Sequence, residues 1–199
     1  VDWGLIPEAW HLGFDAQGRG YLTDPHSYRV DVFENGEMVR TIRRSHSPRR
    51  LTTQDVEAIQ AAGLHTIDTM STIAEADRSN SRREFADYLA GKTTLPIPDH
   101  VPPLGEILVS PDGGFWVERV DEGPLPEFAL SATFGFWGRV PEYGSTWDLY
   151  DRNGIFLGAI RLPRRFRPEA VDGLEVVGVF ADDLDIEYAV KYRAVAAPR

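Results

Sequence analysis

The chain has 199 residues, no cysteine and a net charge of −10, with 42% apolar, 11% aromatic and 26% charged residues. This is enough chain for one ordinary domain or two small ones, and it excludes a wholly disordered or fibrous polypeptide. The missing cysteine excludes a disulfide framework, a thiol nucleophile and cysteine-ligated zinc or iron–sulfur sites, while 31 acids against 21 bases make nucleic acid a poor partner.

The first elements in chain order are two hairpins. Residues 12–24, LGFDAQGRGYLTD, alternate apolar side chains around a D-A-Q-G turn, and residues 30–43, VDVFENGEMVRTIR, do the same around Asn35-Gly36. Both recur later. Residues 107–119, ILVSPDGGFWVER, align on 12–24 without a gap, placing Leu12 on Ile107, Phe14 on Val109 and Tyr21 on Trp116. Residues 147–161, WDLYDRNGIFLGAIR, align on 30–43 with Arg152 as the single insertion, placing Asp31 on Asp148 and Phe33 on Tyr150. Each copy is therefore a four-stranded antiparallel unit, a-b-c-d, over 9–44 and 105–162. A third copy over 168–194 supplies strand b as LEVVGVF and strand c as IEYAVKYR, without a fourth strand. Repeated four-stranded sheets that cannot bury both faces alone predict an all-β fold, a partial β-propeller of about three blades.

Between the first two blades, residues 45–104 read as a small α-helical insertion. Thr52 and Asp55 form a capping-box pattern, Gly63 marks an expected stop, and further helices are expected over 66–78 and from Ser79 or Asn80 to Gly91. No stretch approaches the ~18 apolar residues of a membrane-spanning helix, and no signal peptide is present. A chain that opens on Val1 rather than Met is expected from processing or fragmentation.

The motifs D-A-Q-G-R-G-Y-L-T-D, Y-R-V-D-V-F-E-N-G-E-M-V-R-T-I-R-R, L-P-I-P-D-H-V-P-P-L-G-E-I-L-V, W-D-L-Y-D-R-N-G-I-F-L-G-A-I-R-L-P and G-V-F-A-D-D-L-D-I-E-Y-A-V-K-Y-R cover nearly the whole chain. Together they resemble six-bladed β-propeller proteins of the NHL-like type, in particular a bacterial group whose last blades carry a helical insertion. The resemblance implies the C-terminal half of a longer propeller, or copies that complete one another, and an exported protein of the periplasm or extracellular space. Its implications for function are broad. They include channel-site hydrolases or lyases of gluconolactonase-like or peptide-amide lyase-like type, whose metal ligands are not visible among Asn35, Asn80 and Asn153.

Strand alternation places b–c loops and blade-to-blade connections on one face, where both long insertions, 45–104 and about 120–145, must lie. Arginine follows the same bias. Arg40, Arg43, Arg44, Arg49 and Arg50, with Arg161, Arg164, Arg165 and Arg167, account for nine of nineteen arginines in two stretches free of acid. Guanidinium forks suit carboxylate, sulfate or phosphate, although acids of neighbouring blades or helices are competing partners. The long b–c loop adds Trp137 and Tyr143 as stacking surface. The expected binding residues are thus Arg43, Arg44, Arg164, Arg165, Trp137 and Tyr143. They would serve a non-enzymatic binding or scaffold module that engages a protein or an anionic small ligand. A half propeller that self-assembles is the other structural reading.

Several motifs carry no chemistry. Residues 86–93, ADYLAGKT, fit a relaxed phosphate-loop pattern, but no helix can begin in the following T-T-L-P-I-P. Trp147-Asp148 is a single copy without the Gly-His partner of WD repeats, and there is no G-x-S-x-G elbow. The five histidines, His11, His26, His46, His65 and His100, lack metal-ligand spacing, so neither a metal nor another cofactor is expected.

Overall fold

A computed structural model describes residues 10–69, 74–90, 92, 99–122 and 144–195. They fall into two compact units, a helical one drawn mainly from 49–101 and a β unit drawn from 9–48, 102–123 and 138–199.

The β unit contains three antiparallel sheets. The first is β1 (Leu12–Phe14), β2 (Gly20–Thr23), β3 (Arg29–Glu34) and β4 (Glu37–Arg43), hydrogen-bonded in that order. Turn chemistry explains its hairpins. Asp15 Oδ1 accepts from the backbone N–H groups of Gln17 and Arg19, both at 2.9 Å, and so closes the first turn. Asn35 and Gly36 take φ of 51° and 83°, the left-handed pair that a two-residue hairpin requires.

After the helices, the second sheet follows as β5 (Leu104–Val109), β6 (Phe115–Arg119), β7 (Thr146–Tyr150) and β8 (Phe156–Arg161). It repeats the first in register. The row Leu12–Leu22–Asp31–Thr41 corresponds to Ile107–Val117–Asp148–Ala159, and Phe14–Gly20–Phe33–Met38 corresponds to Val109–Phe115–Tyr150–Phe156. Even the β-bulge recurs, between Val32 and Phe33 and between Leu149 and Tyr150. Among the described residues the third sheet has three strands, β9 (Phe166–Asp172), β10 (Glu175–Ala181) and β11 (Glu187–Arg193).

Apolar alternation buries one side of each strand against the next sheet. Tyr21, Val30, Val32 and Ile42 of the first sheet pack on Ile107, Phe115, Val117 and Tyr150 of the second. On its other face, the second sheet sets Trp116, Trp147 and Leu149 against Phe166, Val171 and Val176 of the third. Strand β5 meets β1 and β2 on one side and β9 on the other, so the first strands of the three sheets lie side by side. This is an all-β, blade-on-blade architecture, a partial propeller with a small helical insertion.

The helical unit contains two helices among the described residues, α1 (Thr53–Thr69) and α2 (Glu75–Leu89), rather than the three expected. The capping box forms: Thr52 Oγ1 accepts from the Asp55 N–H at 3.2 Å, and Asp55 Oδ2 accepts from the Thr52 N–H at 2.9 Å. Gly63 does not end α1. A Cβ there would lie 2.2 Å from the Phe85 ring, so the glycine admits a buried aromatic from α2 instead. Ser79 and Asn80 lie inside α2, which starts earlier, with Glu75 and Asp77 in its first turn. Residues 86–89 of the phosphate-loop pattern belong to α2, and Lys92 pairs with Asp87 at 3.0 Å.

Candidate functional site

The two long repeats diverge at one structural position. The backbone N–H of Arg44 donates to the Tyr28 carbonyl at 3.3 Å, and in the second sheet the same bond joins Leu162 to Ser145 at 2.8 Å. Tyr28 and Arg44 therefore stand where the second repeat has serine and leucine. Leu162 is buried in the apolar contact between the second and third sheets. Its counterpart Arg44 carries a charge to the contact between the first and second.

The charge is met by Asp148 of β7, whose side chain is wholly buried. Asp148 Oδ2 accepts from Arg44 Nη1 at 2.7 Å and from the Tyr28 hydroxyl at 2.5 Å, with Arg119 Nη1 at 3.5 Å. The Tyr28 and Tyr150 hydroxyls are 2.8 Å apart. Arg44 also stacks 4.3 Å from the Phe156 ring centroid. Arg119 reaches Asp121 at 3.3 Å, and His46 Nε2 lies 2.8 Å from Asp121 Oδ2 without hydrogen-bond alignment. Burial, reinforced by the hydrogen bond to Asp148, holds the Tyr28 phenol far above its ordinary value, and burial raises Tyr150 as well. Both phenols are neutral at physiological pH. The cluster thus supplies fixed donors and paired charges, not an ionised phenolate base.

Comparison of the repeats also explains the orphan oxygen of Asp148. In the first sheet Asp31 Oδ1 accepts from Thr41 Oγ1 at 2.7 Å, and Asp31 Oδ2 meets Arg29 Nε at 3.1 Å. In the second sheet Ala159 replaces Thr41 opposite the aspartate, and Asp148 Oδ1 has no hydrogen-bond partner. The cation has moved too. Asp24 ends the first b strand and pairs with Arg29 at 3.0 Å, whereas Arg119 occupies the Asp24 position in the second repeat.

Beside this cluster, the b–c loop of the first sheet and the chain leaving β4 enclose a concavity of about 420 Å³, lined by Ser27, Tyr28, Arg29, Arg43, Arg44 and His46, among others. Most of its charge is already neutralised: Arg29 is held by Asp24 and Asp31, and Arg44 by Asp148. Arg43 lines the same concavity, is exposed, and has no carboxylate partner among the described residues. Ser27 Oγ donates to Asp24 Oδ2 at 3.1 Å, which occupies its proton and leaves no activated serine there.

The expected site residues separate. Arg43 and Arg44 come together at the concavity. Arg164 and Arg165 lie in the β8–β9 connection and are not part of its lining. Arg165 takes a positive φ of 58° and pairs with Asp185 of the β10–β11 loop. Trp137 and Tyr143 lie outside the described residues. Sequence reasoning missed Tyr28, His46, Arg119, Asp121 and Asp148, although the unequal pairs Tyr28/Ser145 and Thr41/Ala159 were visible in the repeat. Among the described residues no group of three histidines or acids is placed to hold a metal ion, and no helix is long and apolar enough to cross a membrane. No protein family matches the sequence, and comparison with curated proteins and with solved structures finds no match.

Proposed function

We propose that the chain is a non-enzymatic binding module of the NHL-like propeller kind, which engages an anionic group on the face that carries its long connections. The observation that carries this reading is the Arg43 fork, an uncommitted guanidinium beside a concavity whose other arginines are pinned by acids. Pinned arginines form a rigid wall, while a free planar fork matches a carboxylate or sulfate in two parallel hydrogen bonds. Arg44 contributes position and its remaining N–H groups, because Asp148 fixes it. Arg164 and Arg165, and the aromatic Trp137 and Tyr143, extend the same proposal along the connections that strand alternation assigns to this face. Export to the periplasm or extracellular space rests on the family resemblance alone.

The test is calorimetric titration of the full chain with citrate, acetate and sulfate, repeated for Arg43→Glu and for Arg152→Glu, a matched charge reversal at the exposed β7–β8 turn. Loss of at least about tenfold in affinity for Arg43→Glu alone supports the reading, since a charged hydrogen-bonded contact of about 1.4 kcal/mol or more is removed. Equal losses in both variants, or no binding by the parent chain, refute it.

A further inference from the structure

The register of the two sheets identifies a second surface. Sheet two docks on sheet one through Ile107, Phe115, Val117 and Tyr150, with Val109 packed alongside. The corresponding positions of sheet one are Leu12, Gly20, Leu22, Phe33 and Phe14, with Met38 completing the second row. They lie on the face turned away from sheet two. Leu12 is 55%, Phe14 62% and Met38 59% exposed, and Trp10, two residues earlier, is 50% exposed. The first sheet therefore displays the packing surface by which its own repeat is built to cover a neighbour. The polar group in that surface needs nothing from outside: Asp31 is satisfied by Thr41 and Arg29 of its own sheet, whereas its counterpart Asp148 depends on Tyr28 and Arg44 of the neighbouring sheet.

We propose that this face is an interface for a second copy of the chain, docked face to face through Leu12, Phe14, Phe33 and Met38 about a two-fold axis. The chemistry of the chain's other open sheet face selects this arrangement. On the outer face of sheet three, Val177 is the large exposed apolar side chain, and its row includes Lys191, itself paired with Glu175 at 2.5 Å. A head-to-tail contact would desolvate that ion pair against an apolar surface, which is unfavourable, whereas the leading face meets its own kind through the apolar Phe14–Met38 end of the sheet, at the opposite end of β4 from Arg43. Side chains of this size each present on the order of 150–250 Å² when bare, so Trp10, Leu12, Phe14 and Met38 together leave roughly 450 Å² open per copy. This is below the ~800 Å² per partner of a standard interface, and the dimer is accordingly weak and concentration-dependent.

Sedimentation equilibrium of the full chain, carried to several hundred micromolar, tests this. The expected result is a monomer–dimer equilibrium that Phe14→Asp and, separately, Met38→Glu shift to monomer with an unchanged circular dichroism spectrum, while Val177→Glu leaves it intact. A parent chain that stays monomeric throughout overturns the proposal. So does a dimer that survives both leading-face substitutions, or one that Val177→Glu abolishes, which indicates head-to-tail assembly.

Discussion

Replacing Ala159 by threonine should stabilise the protein, because the first repeat already shows the bond that the second lacks. Thr41 Oγ1 donates to Asp31 Oδ1 at 2.7 Å, and Ala159 occupies the same cross-strand position opposite Asp148, whose Oδ1 is buried and unpartnered. Hydrogen bonds to charged groups contribute about 1.5–3 kcal/mol, and ordering the new hydroxyl removes part of this, so a gain of about 1–2 kcal/mol is expected. For a chain of this length that is roughly 3–6 °C in melting temperature. Urea unfolding should show a higher midpoint with an unchanged slope, as a pure stability change requires. The decisive measurement is a double-mutant cycle with Asp148→Asn. A specific bond predicts a coupling of about 1 kcal/mol between the two sites. If threonine stabilises both backgrounds equally, the gain is strand propensity and the account of the orphan oxygen is wrong. No gain in either background means that Oδ1 is satisfied by something other than a side chain at 159.

Asp148→Ala removes the acceptor shared by Arg44, Arg119 and Tyr28 and should cost roughly 3–5 kcal/mol, the range for a buried charge network that loses one partner; a loss under about 1 kcal/mol in urea unfolding contradicts the burial described. Gly63→Ala should destabilise the helical unit although alanine is the better helix former, since its Cβ would fall 2.2 Å from the Phe85 ring. Phe85→Leu in the same chain should recover part of the loss, and failure to recover any by helical circular dichroism would remove the steric explanation. Glu118 is pushed up to about 7, first by desolvation and then by the neighbouring Glu106 carboxylate. Its folded-state value thus exceeds its unfolded one, so the native state binds the extra proton. Stability from this group is fully present below the ordinary carboxylate range and is lost as pH rises through about 7, by up to about 3 kcal/mol. Glu118→Gln should flatten the pH dependence of unfolding across that window.

The sheets were legible because their information is local. Asn35-Gly36 demands left-handed dihedrals wherever it falls in a hairpin, and the ungapped match of 12–24 to 107–119 fixes side-chain facing for both copies at once. Gly63 was misread because a helix stop and a close helix crossing use the same residue, and only the approach of Phe85, 22 positions later, distinguishes them. The surroundings of the expected binding residues were legible only in part, for a related reason. Arginine clustering reports where positive charge leaves a strand, but not which acid waits across a sheet boundary. Arg44 meets Asp148 over 104 positions of sequence, and Arg165 meets Asp185 on the next sheet, so two of the four expected arginines are committed to structure.

What repetition does reveal is where the two sheets part company. Two sheets that share register, bulge and turn chemistry could have used the same residues to pack on their neighbours, and at most positions they use equivalent ones. At Tyr28 and Arg44 the first repeat departs from the serine and leucine that suffice at Ser145 and Leu162, and sets a partly exposed guanidinium over the buried Asp148 carboxylate where the second repeat has an apolar contact. The exchange desolvates Asp148, while Arg44 stacks on Phe156 and Tyr28 joins the apolar core, so a simple apolar contact is traded for a directional one. The departure lies beside a concavity whose rim carries Arg43, a guanidinium without a carboxylate partner among the described residues. The proposed binding of an anionic group on this face would give Arg43 and the fixed Arg44 a common use, and the Arg43→Glu titration separates it from a purely architectural role.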